Sequence, residues 1–335
     1  RIVSVEVVDP ATGAPTGRNL VVGYGGQDVA GAVSRFARRD DGVTSDSFAK
    51  RLPPGQGGDM YFDVVYPDAA AVPCRIAHRI TVELTGVAGR PRVTAVVAPL
   101  PVSDRPAIVI RPPLRGPRWF DLDSCCVRVG AHRFTVLAPF GRFRTPERFA
   151  IDYVQLTENG RTYTGDIRVL TNWPSYGKPV YAVADGEIVS IENDLPDGVP
   201  GAKPANQPAS QAGGNYVIQK IADGRYAFYA HMIPGSVRVR PGQKVRRGRL
   251  LGRLGNSGNS DGPHLHFQIM DRPSALDATS LPFVYDTAWL EGRYRGTARA
   301  GDDLFLDGGR YRIDRRDAGR QRWRMPLGGD LMRLR

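Results

Sequence analysis

Residues 262–267 read GPHLHF and place two histidines, His264 and His266, two positions apart. In a strand, side chains at i and i+2 share one face and lie roughly 7 Å apart. Two imidazoles with this spacing can serve a single metal-bound reaction centre. The chain holds only 5 histidines, so a pair within three residues indicates a functional site on an extended segment.

Four stretches, in a fixed order along the chain, carry a resemblance to a known family. They are RFAID (148–152), YGKPVYAVADGEIVSI (176–191), GGNYVIQKIADGRYAFYAHM (213–232) and the segment 237–271 that contains the His-Leu-His run. Together they resemble the lysostaphin-type (LytM-like) zinc metalloendopeptidases, which cut peptidoglycan cross-bridges. The resemblance implies an antiparallel β domain with a duplicated hybrid motif.

The resemblance also implies roles for individual side chains. Asp152 and His266 would be zinc ligands. His264 would be the base that takes a proton from the attacking water, and His231 would stabilise the developing oxyanion. These roles are chemically coherent, because a neutral imidazole can accept a proton and a second one can donate to an oxygen.

One position departs from the family pattern, which places a further ligand histidine ahead of the aspartate with three residues between them. Arg148 occupies that position relative to Asp152. A guanidinium has no lone pair to give a metal and pairs readily with a carboxylate. We therefore expect a weakened zinc site, with Asp166 as a candidate substitute ligand.

Two functions remain open from these residues. The first is a peptidoglycan-directed metalloendopeptidase-family protein that acts on cell-wall peptides, with a degenerate zinc site. The second is a non-catalytic cell-envelope binding or regulatory protein that uses the old substrate groove. Both predict an extracytoplasmic location, which is secreted, periplasmic or associated with the cell wall.

Composition predicts an all-β chain of 335 residues, because Gly (39) and Pro (27) are frequent and helix-period runs are scarce. Apolar and polar residues alternate at 1–9, 60–66, 79–87 and 92–100, which predicts an N-terminal β-sandwich-like domain over 1–138. The lysostaphin-type domain is expected at 139–285, followed by a basic C-terminal extension at 286–335. Residues 193–214 are rich in Pro, Gly, Ala and Asn and predict a long loop, of the kind that walls the substrate groove in the resembling fold.

The formal net charge of +12 favours anionic partners. Peptidoglycan or its peptides are the expected partners, and anionic envelope polymers are compatible with the charge. No signature of a nucleic-acid module occurs, so no specific nucleic acid is expected. No run of 18 apolar residues occurs either, so no transmembrane segment is predicted.

The three cysteines, Cys74, Cys125 and Cys126, leave four alternatives. Cys74 could pair with one of the other two, the adjacent pair could form a vicinal disulfide, or thiolates could join His132 in a metal site. Buried thiols are a fourth interpretation. His132 and His78 are otherwise expected to be hydrogen-bonded structural residues.

Overall fold

The computed structural model describes residues 1–22, 33–39, 42–48, 56–125, 130–137, 141–202, 204, 207–296 and 304–335. The chain divides into two compact units, Arg1–Pro106 and Ala107–Arg335. Almost all of the regular structure is β-strand, which confirms the predicted fold class. The predicted boundary at 138 and 139 falls on residues outside the described part of the chain, and the division between units lies earlier, after Pro106.

The described residues of the first unit form seven strands in two antiparallel sheets. The bounds are β1 (Ile2–Val8), β2 (Arg18–Val22), β3 (Val33–Arg39), β4 (Gly42–Phe48), β5 (Gln56–Val65), β6 (Arg75–Glu83) and β7 (Arg92–Pro101). One sheet has the order β1-β6-β7 and the other the order β2-β5-β3-β4. The four alternating segments of the sequence overlap β1, β5, β6 and β7.

The second unit holds the remaining strands, and the helices among its described residues are short. The strands are β8 (Ile108–Ile110), β9 (Gly116–Ser124), β10 (Ile151–Gln155), β11 (Pro179–Tyr181), β12 (Gly186–Glu192), β13 (Asn215–Ala222), β14 (Arg225–Met232), β15 (Lys244–Val245), β16 (Leu250–Arg253), β17 (Leu265–Met270), β18 (Ser280–Leu281), β19 (Phe283–Tyr285), β20 (Ala288–Tyr294), β21 (Ile313–Asp314), β22 (Gly319–Gln321) and β23 (Asp330–Leu334). A four-residue helix, α1, spans Ala131–Phe134. No helix within the described ranges has the length and apolar character needed to cross a membrane.

One large sheet organises this unit. Its strands follow the order β15-β12-β13-β14-β17-β10-β9-β23-β20-β21, with β18 paired to β17 and β22 to β20. One face of the central strands packs into the main core, where Tyr153, Tyr229 and Phe267 are fully buried. The hydroxyls of Tyr153 and Tyr285 are hydrogen-bonded across this core at 2.7 Å. Because strand side chains alternate, the residues between these aromatics face the other side of the sheet.

The predicted C-terminal extension at 286–335 is part of this sheet. β23 lies between β9 and β20 and pairs with both. Leu331, Met332 and Leu334 are buried, and Met332 belongs to the same core as Tyr153 and Phe267. The arginines of this segment dominate its composition and conceal the apolar residues that pair into the sheet.

Of the alternatives for the cysteines, the structure does not form the disulfide between Cys74 and a distant partner. Cys74 is free and exposed. Cys125 is buried and disulfide-bonded, so it offers no thiolate for a site with His132. The remaining cysteine, Cys126, lies outside the described residues.

The position of β23 predicts that its core contacts stabilise the whole second unit. We expect Met332→Ala to lower the free energy of unfolding by about 2–5 kcal/mol, because it removes buried methylenes and leaves a cavity. Arg333→Ala is the neighbouring control, since its half-exposed ion pair with Glu291 contributes about 1 kcal/mol or less. Urea denaturation followed by tryptophan fluorescence measures both. Equal effects of the two changes would show that β23 is only loosely attached.

Candidate metal centre

Four adjacent strands bring the polar residues of the site together. His231 is on β14, His266 on β17, Asp152 on β10 and Asp123 on β9. The register places Ala230 opposite His266, and His266 opposite Asp152. Since paired residues in adjacent strands point to the same face, Asp152 and His266 converge on the face opposite the aromatic core.

A third ligand atom comes from His132 in the short helix α1. His132 Nε2 lies 3.2 Å from Asp152 Oδ2, and His266 Nδ1 lies 3.0 Å from Asp152 Oδ1. The ligand atoms of the three residues all lie within 4.8 Å of one another. This is the group among the described residues that could hold a metal ion.

The donor set fits a tetrahedral metal ion. Ligand bonds of about 2.0–2.1 Å in a tetrahedron place donor atoms about 3.3 Å apart, close to both His–Asp separations. The outer ring nitrogen of His266 is directed to an acceptor, because its Nε2 lies 3.0 Å from Oε1 of the buried Gln268. His132 Nδ1 is buried without a hydrogen-bond partner among the described residues, and Asp123 Oδ2 lies 4.0 Å from it. A proton on His266 Nε2 leaves the lone pair of its Nδ1 for a metal.

The residue that lies beside Asp152 in the structure is not Arg148, which the sequence analysis placed there. Arg148 is not on a strand, because it lies in the turn of residues 146–149 that precedes β10. Its guanidinium carbon lies 5.7 Å from the ring centroid of Phe149. His132, which the sequence analysis interpreted as a structural residue, holds the place next to Asp152 and His266.

Asp166, the candidate substitute ligand, also lies away from this group. Its carboxylate accepts hydrogen bonds from Arg168, which lower the Asp166 pKa to about 2. The sequence analysis considered His132 only with the cysteines and missed its place beside Asp152, because it is 20 residues ahead of Asp152 and belongs to none of the four stretches. Its only sequence signal is that histidine is rare in this chain.

His264 presents one ring nitrogen to the same centre. Its Nδ1 lies 2.8 Å from the Gly262 carbonyl, which can only accept, so Nδ1 carries the proton. The lone pair is then on Nε2, which lies 3.5 Å from Asp152 Oδ1. Gly262 is constrained by its neighbours, because a Cβ there would lie 2.7 Å from Trp173 and 2.9 Å from Phe305. This close packing fixes the carbonyl that orients His264.

His231 reaches the site through an unusual backbone conformation. Ala230 lines the cavity, so the alternation of side chains along a strand would turn His231 to the other face of the sheet. The φ of His231 is 62°, in the left-handed region, and this conformation redirects its side chain into the cavity. Its Nδ1 is 2.7 Å from the Ser257 carbonyl, so the proton is again on Nδ1. The imidazoles of His231 and His264 lie 4.5 Å apart between ring centroids. Strained backbone of this kind is typical of functional sites.

The electrostatics separate the imidazoles into two classes. Burial lowers the pKa of His264, and burial together with the charges of His264 and His266 lowers that of His231 well below its usual value. Burial also acts on His132 and His266, but Asp152 outweighs it and raises their pKa. Burial raises the pKa of Asp152, but the neighbouring histidines lower it by more. The pKa of Asp152 therefore lies well below its usual value. The carboxylate is therefore ionised, and the two non-ligand histidines are neutral.

These residues line a cavity of about 610 Å³. One wall comes from the predicted loop, through residues 209, 210, 212 and 213, and the loop is held by Asp197, whose Oδ1 accepts from the backbone of Asn256 at 2.7 Å. Phe305 and Leu306 of the C-terminal region form part of another wall. Arg148 and Asp166 are not among the described residues that line it. The long loop and the C-terminal segment therefore both shape the groove.

Comparison with known proteins identifies similar sequences over about a third of the chain. The cell division protein DipM of Caulobacter vibrioides is 35% identical over 101 residues, which are 30% of this chain and 14% of that protein. The peptidoglycan DD-endopeptidase ShyA of Vibrio cholerae is 33% identical over 102 residues, 30% of this chain and 20% of that one. The chain thus spans a fifth or less of the length of these relatives.

Among solved structures, the catalytic domain of the prophage-encoded M23 protein EnpA from Enterococcus faecalis has a TM-score of 0.29 and 21% identity, covering 49% of this chain and 88% of that one. The catalytic domain of lysostaphin from Staphylococcus simulans has a TM-score of 0.24 and 24% identity, covering 38% and 88%. Residues 171–278 match the sequence model of Peptidase family M23. The chain therefore carries a domain of Peptidase family M23, the lysostaphin-type family that the histidine motifs indicate.

Proposed function

We propose that the second unit is a zinc-dependent endopeptidase domain that hydrolyses peptide bonds of peptidoglycan in the cell envelope. The observation that carries this proposal is the convergence of His132, Asp152 and His266 beside two neutral imidazoles in one cavity. Three protein ligands leave one position of a tetrahedral ion for water or substrate, which is the pattern of catalytic zinc sites. The relatives named for peptidoglycan endopeptidase activity support the substrate class.

Zinc held by these three residues would supply Lewis acidity, which acidifies water and polarises a carbonyl. His264 is the residue best arranged to accept the proton of the attacking water, because its Nε2 faces the centre and its Nδ1–H is held by Gly262. Its lowered pKa keeps it unprotonated near neutral pH, as a general base requires.

His231 would act next to it. With Nδ1–H bound to Ser257, the neutral ring can accept at Nε2 and cannot donate there. It becomes a donor to a developing oxyanion only after it gains a proton. Burial and the neighbouring imidazoles lower the pKa of His231 and so oppose that protonation. We therefore assign His231 the role of a second proton acceptor beside His264, in place of the oxyanion donor that the resemblance implied.

The alternative of a non-catalytic binding or regulatory protein rested on Arg148 as a lost ligand. With His132 beside Asp152, a full ligand set is available without residue 148. An active enzyme is therefore the better proposal, and its peptide substrate places it outside the cytoplasm, where peptidoglycan lies.

The first prediction concerns metal content. We expect the purified protein to hold about one zinc per chain, as three protein ligands allow. His132→Ala should lose most of this zinc, whereas Arg148→Ala should retain it, because only the first change removes a ligand atom. Elemental analysis after dialysis measures both. Loss of zinc in Arg148→Ala with retention in His132→Ala would reverse the assignment.

The second prediction separates catalysis from metal binding. His264→Ala should lower kcat on purified peptidoglycan by about 10²- to 10⁴-fold, the usual contribution of a general base, while zinc content remains that of the parent protein. New amino groups released from the polymer measure the rate. His78→Ala, which changes a histidine that does not line the cavity, is the control and should keep full activity. Full activity of His264→Ala would exclude it as the base.

The third prediction tests Gln268 as a positioning residue for His266. Gln268→Leu should weaken zinc binding by about 10- to 100-fold, because the Nε2–H of His266 loses its acceptor. Gln268→Glu keeps an oxygen at that position and should restore most of the affinity. Competition with a zinc-binding dye measures the constants. Equal losses in the two variants would mean that Gln268 acts through packing alone.

A further inference from the structure

A second cavity, of about 470 Å³, lies at the C-terminal side of the sheet and belongs to no part of the proposed reaction. Its floor is apolar and buried, with Leu156, Tyr311 and Leu331. The charged groups around this floor are four arginines and one carboxylate: Arg118, Arg310, Arg312, Arg315 and Glu158. The lining therefore has a strong excess of positive charge.

The cavity is formed by two loops that are joined by backbone contacts. The amide of Tyr311 donates to the carbonyl of Gly160 at 2.8 Å and connects the two loops, while the amide of Gly160 donates to the carbonyl of Thr157 at 3.0 Å within the first loop. A side-chain hydrogen bond from Arg161 to the Gly308 carbonyl connects the same loops. The position of the lining arginines thus follows from the fold, rather than from a free surface segment.

Other arginines of this region are neutralised, whereas those of the cavity are not. Arg316 is bound to Asp314, Arg295 to Asp317 and Arg293 to Asp330. Within the described part of the chain, no ion pair joins the four cavity arginines to a carboxylate. The positive charge of these four arginines is therefore concentrated in one cavity and is not balanced by ion pairs among the described residues.

Two of the arginines are also oriented by the backbone. Arg118 donates through Nε to the carbonyl of Leu156 at 3.0 Å, which leaves its terminal nitrogens for another acceptor. Its φ of 62° is left-handed, and its amide donates to the side chain of Glu291 at 2.8 Å. Arg315 donates through Nη1 to the Glu291 carbonyl at 2.9 Å. A strained residue held by specific contacts is typical of a binding site.

We propose that this arginine cavity binds a phosphate group carried by a ligand that has no bases to stack. A guanidinium group can form two parallel hydrogen bonds to phosphate oxygens. Four arginines offer more positive charge and more donors than a ligand with a single carboxylate would use. The volume has room for one phosphate and an adjoining part of the ligand. A nucleic acid is the poorer fit, because the one aromatic residue of the lining, Tyr311, is 2% exposed and offers no ring for base stacking.

The proposal is tested by calorimetric titration of the intact chain with poly(glycerol phosphate) in 0.15 M salt. The cavity variant Arg310→Gln/Arg312→Gln changes two exposed arginines of the lining and should weaken binding by about tenfold or more. The matched control Arg320→Gln/Arg322→Gln removes the same charge from exposed positions of the same segment that do not line the cavity. It should change affinity by about twofold or less, because screening limits effects at a distance.

Three results would overturn the proposal. Equal weakening in both variants would show attraction by net charge alone. Tighter, cavity-dependent binding of double-stranded DNA with the same number of phosphates would make the partner a nucleic acid. Absence of binding to both the polymer and inorganic phosphate would remove the site. Zinc content and hydrolysis of peptidoglycan are measured on the same variants and should be unchanged, so this proposal and the proposed peptidase activity fail independently.

Discussion

The pairing of Asp152 with His266 across β10 and β17 is the constraint on which the site depends. It places a carboxylate and an imidazole on one rung of an antiparallel ladder, with Tyr153 and Phe267 directed into the core behind them. A slip of one residue would turn the polar pair into the core and the aromatics into the cavity. The burial of the aromatic face therefore fixes the register, and the register fixes the ligands.

His231 and His264 are held mainly through backbone carbonyls, and Ser260 Oγ adds one side-chain contact, 3.1 Å from His264 Nδ1. Ser257 and Gly262 each accept from an Nδ1–H, so both non-ligand histidines present the same nitrogen to the cavity. A carbonyl cannot titrate, and the orientation is therefore independent of the protonation of a neighbour. Close packing secures these carbonyls, since Gly262 lies against Trp173 and Phe305. The orientation of these two histidines is thus a consequence of main-chain packing.

The sequence was most informative where function and local pattern coincide. The His-Leu-His run predicted a strand with two histidines directed into one site, and β17 begins between them. His132 could not be found in this way, because only the tertiary adjacency of β9 and β10 brings α1 to Asp152. The C-terminal strand was missed for another reason. Arginines dominate the composition of its segment, whereas its place in the sheet depends on the pairing of Leu331 and Met332 with β9. Both cases require long-range contacts, which local pattern does not encode.

The placement of β23 between β9 and β20 also determines when the sheet can be completed during synthesis of the chain. β9 occurs more than 200 residues before β23 in the chain, and it keeps one unpaired edge until residues 330–334 have been synthesised. During that interval the hydrogen-bonding groups of β9 are open to incorrect partners. Pairing over such a sequence separation is slow, so the sheet that carries Asp152 and His266 closes late. A domain assembled in this order remains incomplete until residues 330–334 have joined the sheet.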